Sequence, residues 1–352
     1  MGGQAAINLL SEFSDSPQYI RATATKEINE EIISLIRRLR LDDIIQGSVN
    51  PNFGSTRLFA IKQNWEDVYI SPYETCEVID TAFEVKKDFG DIDLGIIFQK
   101  GKSFEDIINS LKSRKDKYVC KLIGEELTIA VRLDSDTTKV IQVDLLDVSQ
   151  NEWWHRVNQF ASLKDMSLGI KGVVRDLLIR SIVATHPIDQ TWTTVLCDMV
   201  VATDTYKTFK SKYEKKGVVD FNLRYSLAKE GLSFKITWLV DGIKKSYSKG
   251  GVKFDYLHDF SSNEIASPLG WHRIKDIAIW LGFDHEDDIN HVTKMVEVVS
   301  KFDEDRKLQI WQRYQELLKT KLPTETRPVA QISVAEADVA SEYIKQHIGI
   351  KV

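Results

Sequence analysis

An apolar run that opens with two carboxylates, Asp91-Ile92-Asp93 and then Leu94 to Phe98, constrains this chain more than any other feature. Its β-branched, apolar character predicts a buried strand, and the two-residue period of a strand puts Asp91 and Asp93 on one face. Adjacent carboxylates repel and raise each other's pKa, so a divalent cation is the simplest reason to keep both. The stretch therefore predicts a site for Mg²⁺ or Mn²⁺, ions that commonly assist phosphoryl chemistry. A lone Asp-x-Asp motif is also frequent at strand starts without any catalytic role.

A third carboxylate, Asp144, interrupts a later apolar run. Residues 127–133 and 139–148 flank the polar segment 134–138, which predicts a β-hairpin. A carboxylate inside a core strand is unfavourable unless it is paired or bound to a metal, so Asp144 needs a partner, which Asp91 and Asp93 on an adjacent strand would supply. Asp147 is the alternative third carboxylate, although strand alternation places it on the opposite face.

Helix signals surround these strands. Thr25 is predicted to cap a helix that runs to about Arg40, and Ser103 a second helix. The segment 56–85 is predicted to be extended structure and loops, because its apolar runs are short and Pro72 interrupts them. In the second half we predict helices over 163–184, 192–216, 271–281 and 287–318, a weakly strand-like stretch over 221–240, and a final helix whose capping box is formed by Ser333 and Glu336.

Two Gly-Ser pairs precede the Asp-x-Asp motif: Gly47-Ser48, at the end of a predicted short strand over 43–48, and Gly54-Ser55. Small residues let a backbone approach a phosphate group, and its free N–H groups can then bind phosphate oxygens. Each pair taken alone also fits an ordinary turn. The choice between these alternatives stays open at this point.

The composition is that of a folded protein. At 352 residues, with 43% hydrophobic and 28% charged residues, the chain is long enough for two domains. Its apolar runs are short and its N-terminus has no secretion signal, so we expect no membrane association and a cytoplasmic location. Three scattered cysteines and seven histidines show no zinc-ligand spacing.

The charge of the chain limits its partners. The net charge of −5 argues against binding nucleic acid by bulk electrostatics, while a local basic groove remains compatible with it. A lysine run between Lys207 and Lys216 is interpreted as a solvated helix face, with nucleic-acid contact as the less favoured alternative.

In their order, the helix to Arg40, the Gly-Ser pairs, Asp91-Ile92-Asp93 and Asp144 resemble the nucleotidyltransferase superfamily with the DNA polymerase β-like fold. More narrowly, the chain is similar to nucleotidyltransferases encoded by bacteriophages, in four motifs: Gly2-Gly3, Gly90-Asp91-Ile92-Asp93-Leu94, Val143-Asp144-Leu145 and Lys171-Gly172. The resemblance covers roughly residues 1 to 180. For a phage-encoded protein the compartment would be the host cytoplasm.

The resemblance implies an α+β fold. It implies a polymerase β-like catalytic domain over 1–155, in which helices flank a mixed sheet. The helical sequence patterns that follow predict a mainly helical domain over 156–322. A linker and a C-terminal helix would follow over 323–352. In the superfamily the Gly-Ser and Asp-x-Asp elements are usually close, whereas here they are far apart in sequence. We favour Gly47-Ser48 because it directly follows the helix and its strand, and we keep Gly54-Ser55 as the alternative.

The implied chemistry is transfer of a nucleoside monophosphate from a nucleoside triphosphate, such as ATP, to an acceptor hydroxyl, with pyrophosphate leaving. Asp91 and Asp93 would bridge two metal ions, and Asp144 would complete the second metal site. Ser48 and the neighbouring backbone would hold phosphate oxygens. Lys171 or Arg175 would neutralise triphosphate charge, although a solvated helix face is the favoured interpretation of both.

Three functions compete at this point. The first is an active nucleotidyltransferase whose acceptor is a nucleic-acid end, a protein side chain or a small molecule. The second is an inactive nucleotide-binding or structural interaction protein that keeps the fold. The third keeps the fold but uses the triphosphate as a phosphate donor, as a kinase does. The presence of all three carboxylates favours the first, since a binding module has no need of them.

Overall fold

Helices and strands both contribute to this fold, at about 49% and 19% of the structure. The computed structural model describes residues 4–149, 162–188, 190–228, 231–244, 274–324 and 332–350. The helices of these residues are α1 (Gln4–Ile7), α2 (Lys26–Leu41), α3 (Thr56–Lys62), α4 (Cys76–Val85), α5 (Phe104–Leu111), α6 (Leu163–Ser167), α7 (Gly172–Ala184), α8 (Gln190–Ala202), α9 (Asp204–Tyr213), α10 (Ile274–Leu281), α11 (Val292–Ser300), α12 (Glu304–Lys319) and α13 (Val334–Ile348). The strands are β1 (Gln18–Tyr19), β2 (Ala22–Thr23), β3 (Asp88–Phe89), β4 (Ile92–Ile96), β5 (Tyr118–Ile123), β6 (Glu126–Arg132), β7 (Lys139–Asp147), β8 (Val219–Ala228), β9 (Gly231–Val240) and β10 (Ile243–Lys244).

The chain divides into two compact units. Unit 1 contains residues 1–175, 290–293 and 318–344, and unit 2 contains residues 176–289, 294–317 and 345–352. The two units therefore alternate along the chain, whereas the predicted segments are consecutive. The predicted boundary between 155 and 156 lies outside the described residues.

The strand β7 is the centre of a five-stranded mixed sheet in unit 1. It pairs in parallel with β1 near its start and with β4 along its second half, and antiparallel with β6, which pairs with β5. The predicted hairpin is thus confirmed as β6 and β7. The register of the parallel pair sets Asp93 directly opposite Asp144.

The helix α2 begins where its sequence predicts. The Thr25 side chain accepts a hydrogen bond from the backbone N–H of Ile28 at 3.4 Å, which confirms the N-cap. Five apolar residues on one side of α2 are buried and join the core of the sheet: Ile28, Ile32, Leu35, Ile36 and Leu39. The Ser103 cap of α5 is confirmed as well, and it forms a capping box with Asp106.

The prediction of extended structure over 56–85 is wrong. The chain instead forms α3 and α4, because tertiary contacts decide the conformation of a short apolar run. The guanidinium of Arg57, in α3, is fully buried and pairs with the carboxylate of Glu74. That carboxylate also accepts hydrogen bonds from the backbone N–H groups of Ser71, at 3.0 Å, and Leu163, at 2.7 Å. This buried pair ties α3 to the loop before α4 and to the start of α6.

The predicted short strand over 43–48 is also not formed. Ile45 makes one isolated antiparallel bridge to Phe98, and the chain bends at Gly47. Asn50 forms a second bridge, to Gly95 of β4, through two backbone hydrogen bonds of 2.7 and 2.8 Å. The loop before α3 is therefore anchored on the strand that carries Asp93.

The described residues of the second half are mainly helical, with one long antiparallel pair of strands. The predicted helices over 163–184, 192–216 and 287–318 are each interrupted: at 168–171, at Thr203, which caps α9, and at both His291 and 301–303. The second ends at Tyr213, and the third starts with a 3-10 helix, Glu286–Asn290. Residues 219–228 and 231–240 form the antiparallel pair β8 and β9, so the weak alternation there is confirmed as strand. The Ser333–Glu336 capping box of α13 is confirmed, with hydrogen bonds of 2.9 Å and 3.3 Å between each side chain and the other residue's backbone N–H.

We predict that Gly95→Ala destabilises unit 1. A Cβ at this position would lie 2.8 Å from Cγ1 of Val148 and would collide with the ring of Phe53. Overpacking of this kind costs about 1–3 kcal/mol in the free energy of unfolding, measured by denaturant titration. The matched control is Gly124→Asn, at a turn with φ of +65° and open space around it, where we expect a change within about 0.5 kcal/mol. Equal effects of the two substitutions would contradict this packing.

Candidate metal centre

Three carboxylates meet at one end of the β4–β7 pair. Asp91, Asp93 and Asp144 each present one oxygen such that these oxygens lie within 4.8 Å of one another. Parallel pairing places Asp144 beside Asp93, and strand alternation brings Asp91 to the same face. The structure thus brings together the three acidic residues that the sequence predicts, from two separate parts of the chain. Asp147, the alternative, pairs in register with Ile96 and does not line the cleft described below.

The Asp144 carboxylate has one satisfied and one unsatisfied oxygen. Asp144 is 5% exposed, and its Oδ2 accepts a hydrogen bond of 2.6 Å from Nε2 of Gln142. Its Oδ1 is buried without any hydrogen-bond partner. Since an orphaned buried oxygen is costly, its position beside two further carboxylates is suited to a cation.

Each of the three carboxyl groups has a raised pKa. Burial is the main cause for all three. The charges of Asp91 and Asp144 raise the pKa of Asp93 further. The pKa of Asp144 rises to about 7, although the side chains of Thr128 and Gln142 oppose the rise. A group of carboxyls that resists ionisation in this way is stabilised in its charged form by a bound cation.

A fourth carboxylate, Glu126, lies near this group. It is the first residue of β6, and its charge raises the pKa of both Asp93 and Asp144. The sequence motifs do not predict it. Its position two residues before Thr128, the register partner of Asp144, is the only signal that would have found it, and this requires the hairpin register.

The turn at Gly54 closes over Asp93. Gly54 has φ of +48°, and a Cβ there would lie 2.6 Å from Oδ2 of Asp93. The hydroxyl of Thr56, fully buried at the start of α3, accepts a hydrogen bond of 2.7 Å from the backbone N–H of Asp93. Only glycine fits this approach, so the second Gly-Ser pair is built against the carboxylates.

The two Gly-Ser pairs have different positions. Gly54 and Ser55 line the same cleft as Asp91 and Asp93. Gly47 and Ser48, which the sequence analysis favours, are exposed and do not line it. The long separation from the Asp-x-Asp motif is occupied by α3 and α4, which lie between the second pair and β4 in sequence.

A cleft of ≈ 1060 Å³ within unit 1 opens onto the carboxylates. Four parts of the chain supply most of its walls: residues 53–55, 84–93, 162–175 and 335–339. Pockets for small molecules and cofactors typically measure about 300–1,000 Å³, so this cleft has room for a nucleotide-sized ligand.

Five cationic side chains line the cleft: Arg21, Lys86, Lys87, Lys171 and Arg175. Three of them form ion pairs on the cleft wall. Arg21 pairs with Asp88, Lys87 with Glu84 at 2.8 Å, and Lys171 with Glu336 at 2.9 Å. Lys86 is half-buried and has no ion-pair partner among the described residues. Burial and the neighbouring charges of Arg21 and Lys171 lower its pKa, while Asp91 raises it.

Lys86 is a residue that sequence reasoning missed. It follows α4 immediately, in an extended conformation, and its Nζ lies 6.0 Å from the centre of the Phe89 ring. A Lys-Lys pair ahead of the Asp-x-Asp motif is its only sequence signal, and that pattern does not distinguish Lys86 from the exposed Lys87.

The two cations predicted from sequence differ in environment. Lys171 is about 40% exposed and forms its ion pair with Glu336 across the cleft. Arg175 is 1% exposed, so the interpretation of this residue as part of a solvated helix face is wrong. Its charge lowers the pKa of Asp165, which burial raises to about 6. The buried arginine thus stabilises the charged form of the Asp165 carboxylate. That carboxylate also accepts hydrogen bonds from the backbone N–H groups of Val292, at 2.7 Å, and Thr293, at 3.3 Å.

Comparison with known proteins adds no relative. No family model, no curated protein and no solved structure matches the chain. Of the helices in the described residues, none has the length and apolar character needed to cross a bilayer. Functional inference therefore rests on the geometry of the carboxylates and the cleft.

The raised pKa of Asp144 predicts a pH-dependent stability of the metal-free protein. An unfolded aspartate titrates near 3.9, whereas Asp144 in the fold titrates at about 7. The folded state therefore holds the extra proton between these values, and stability falls as pH rises through that window. At about 1.4 kcal/mol per pH unit, we expect wild type to lose roughly 2–3 kcal/mol relative to Asp144→Asn between pH 5 and 8.

Denaturant titrations of both proteins in a chelating buffer measure this difference. Parallel pH profiles would contradict the assignment. Added Mg²⁺ is expected to restore the stability of wild type at pH 8, because it favours ionised carboxylates, and to have a smaller effect on Asp144→Asn.

Proposed function

We propose that this protein is a metal-dependent nucleotidyltransferase that transfers a nucleoside monophosphate from a nucleoside triphosphate to an acceptor hydroxyl, with pyrophosphate as the leaving group. The observation that carries the proposal is the meeting of Asp91, Asp93 and Asp144. Asp91 and Asp93 line a nucleotide-sized cleft, and one buried oxygen of Asp144 has no hydrogen-bond partner among the described residues. The proposal includes a polymerase β-like arrangement of unit 1.

The donor set suits Mg²⁺ or Mn²⁺. All three candidate ligands are carboxylate oxygens, which hard divalent cations prefer, and no histidine or cysteine belongs to the group. Asp91 and Asp93 would hold the ions, and Asp144 would complete the set. When bound, such ions neutralise phosphate charge and lower the pKa of an attacking hydroxyl.

The chain's own side chains prepare this site in three ways. The buried Thr56 hydroxyl fixes the backbone of Asp93, and the Gln142 amide fixes one oxygen of Asp144, so the carboxylates are oriented before substrate arrives. Gly54 leaves room for Asp93 and puts unshielded backbone beside it. Lys86 supplies a half-buried positive charge for an anionic phosphate group in the cleft.

An activity assay with Asp93→Asn tests the proposal. We expect wild type, incubated with each labelled nucleoside triphosphate and Mg²⁺ or Mn²⁺, to release pyrophosphate. Asp93→Asn should lower that rate at least about 100-fold, the scale of losing one charge stabiliser of a transition state. The matched control is Asp147→Asn on β7, outside the cleft, with an expected change below about threefold.

The products separate the competing functions. Release of a nucleoside diphosphate would identify a phosphate-transferring enzyme, as in a kinase. Equal rates in wild type and Asp93→Asn would contradict catalysis by this site and favour a binding or structural protein that keeps the fold.

We predict that Lys86→Met weakens triphosphate binding. The substitution keeps most of the side-chain length but removes the charge, and hydrogen bonds to charged groups contribute about 1.5–3 kcal/mol, or roughly 10–100-fold in affinity. KM for the triphosphate should rise by about that factor, with Lys86→Arg closer to wild type. Lys87→Met is the matched control, since Lys87 is exposed and paired with Glu84. A larger effect of the control would refute the role given to Lys86.

A further inference from the structure

The hairpin of β8 and β9 in unit 2 has two different faces. On one face, Tyr225, Phe234 and Trp238 are buried, and Trp238 packs against Phe209 of α9. The opposite face carries Arg224 and Lys235, which the antiparallel register sets directly across from each other. Like charges in that position destabilise a sheet.

Further positive charges surround this pair. Lys244 of β10 stands across from Leu239, which strand alternation places on the same face as Lys235. Arg313 of α12 is close enough for its charge to lower the pKa of Arg224 and Lys235, on top of the effect of burial. We call Arg224, Lys235, Lys244 and Arg313 the cationic face.

Few acids lie beside the cationic face: among the described residues of β8 and β9 only Asp220 does, across from Leu239. Within the described part of the chain, neither Arg224 nor Lys235 has an ion-pair partner, and Nε of Arg224 is buried without a hydrogen-bond acceptor. Glu316 is the acidic neighbour, and it pairs with Arg313 at 2.6 Å. An external anion on this face would therefore relieve the repulsion between Arg224 and Lys235.

We propose that the cationic face binds the sugar-phosphate backbone of a nucleic-acid strand. Its charges are spread over three strands and a helix, which suits a linear polyanion better than a single phosphate group. Asn222 and Thr237 face each other on the same side and offer hydrogen bonds to phosphate and sugar oxygens. No aromatic side chain lies on this face among the described residues of β8 and β9, so it contacts the backbone without stacking on bases, and its binding is independent of sequence.

Fluorescence anisotropy with a labelled single-stranded oligonucleotide of about 20 nucleotides tests this inference. The full-length protein is used without nucleoside triphosphate or metal, so the outcome does not depend on the proposed transferase activity. The double variant Arg224→Gln/Lys235→Gln is compared with Lys207→Gln/Lys210→Gln. The control pair loses the same charge from exposed positions of α9, which packs on the other face of the sheet.

We expect wild type to bind the oligonucleotide and the Arg224→Gln/Lys235→Gln variant to bind at least about tenfold more weakly at about 50–100 mM salt. Its plot of log affinity against log salt should be shallower by about 1.4, because each lost phosphate contact removes about 0.7. The control pair should change affinity less than about twofold. No binding by wild type, or equal weakening in both variants, would overturn the inference.

Competition experiments exclude other anions. Tripolyphosphate or vesicles rich in anionic lipid that displace the oligonucleotide at equal phosphate concentration would overturn the assignment to nucleic acid. Lys235→Glu covers the case in which the double variant fails to fold. It places a carboxylate across from Arg224, so it should raise the unfolding temperature and still reduce binding about tenfold; an unfolding temperature below that of wild type would contradict the like-charge geometry.

Discussion

The parallel pairing of β4 with β7 is the interaction on which the candidate site depends. It sets Asp93 opposite Asp144, and the two-residue period of β4 then adds Asp91 on the same face. The pairing is supported by apolar side chains of the sheet's interior: Ile92, Leu94 and Ile96 of β4, and Val143 and Leu145 of β7 are buried in one core. Apolar packing inside the sheet thus holds together carboxylates that repel one another.

The same strand also governs the approach of the loop before α3. Asn50 bonds to Gly95 through the backbone, and the absence of a side chain at Gly95 leaves room for Phe53. Gly54 follows directly and touches the Asp93 carboxylate. Gly95 therefore lets the loop pack against β4, and Gly54 lets the same loop pack against the Asp93 carboxylate. A Gly-Ser pair that is distant in sequence becomes adjacent in space through this contact.

Interactions between residues close in the sequence could be predicted, whereas interactions between distant residues could not. The Thr25 cap, the Ser333–Glu336 box and the hairpin of β6 and β7 are local, and their residues specify them directly. The helix α3 was missed because a run such as Leu58–Ile61 suits either a buried helix or a strand, and the deciding partner, Glu74, lies in a different segment. The choice between Gly47-Ser48 and Gly54-Ser55 required the same non-local information.

The candidate site shows the same division. The spacing of Asp91 and Asp93 predicts two carboxylates of the site. The apolar residues around Asp144 predict the third, because a buried charge needs a partner. The sequence pattern does not predict the environments of Lys86 and Arg175. Arg175 is buried and stabilises the Asp165 carboxylate, while Lys86 lies half-buried in the cleft and has no ion-pair partner in the described part of the chain. Periodicity reports which side of a helix is apolar, but it does not report what covers the other side.

The distribution of charge explains how an acidic chain can offer anion-binding surfaces. The net charge of −5 is a sum over the whole molecule, whereas electrostatic attraction at an ionic strength of about 0.15 M acts over about 8 Å. Within that range, Lys86 in unit 1 and Arg224 and Lys235 in unit 2 have no ion-pair partner among the described residues, although Asp91 lies near Lys86. Acidic groups elsewhere on the surface are screened from both sites. Net charge therefore restricts non-specific attraction to polyanions, and the local arrangement of cations decides where a phosphate group binds.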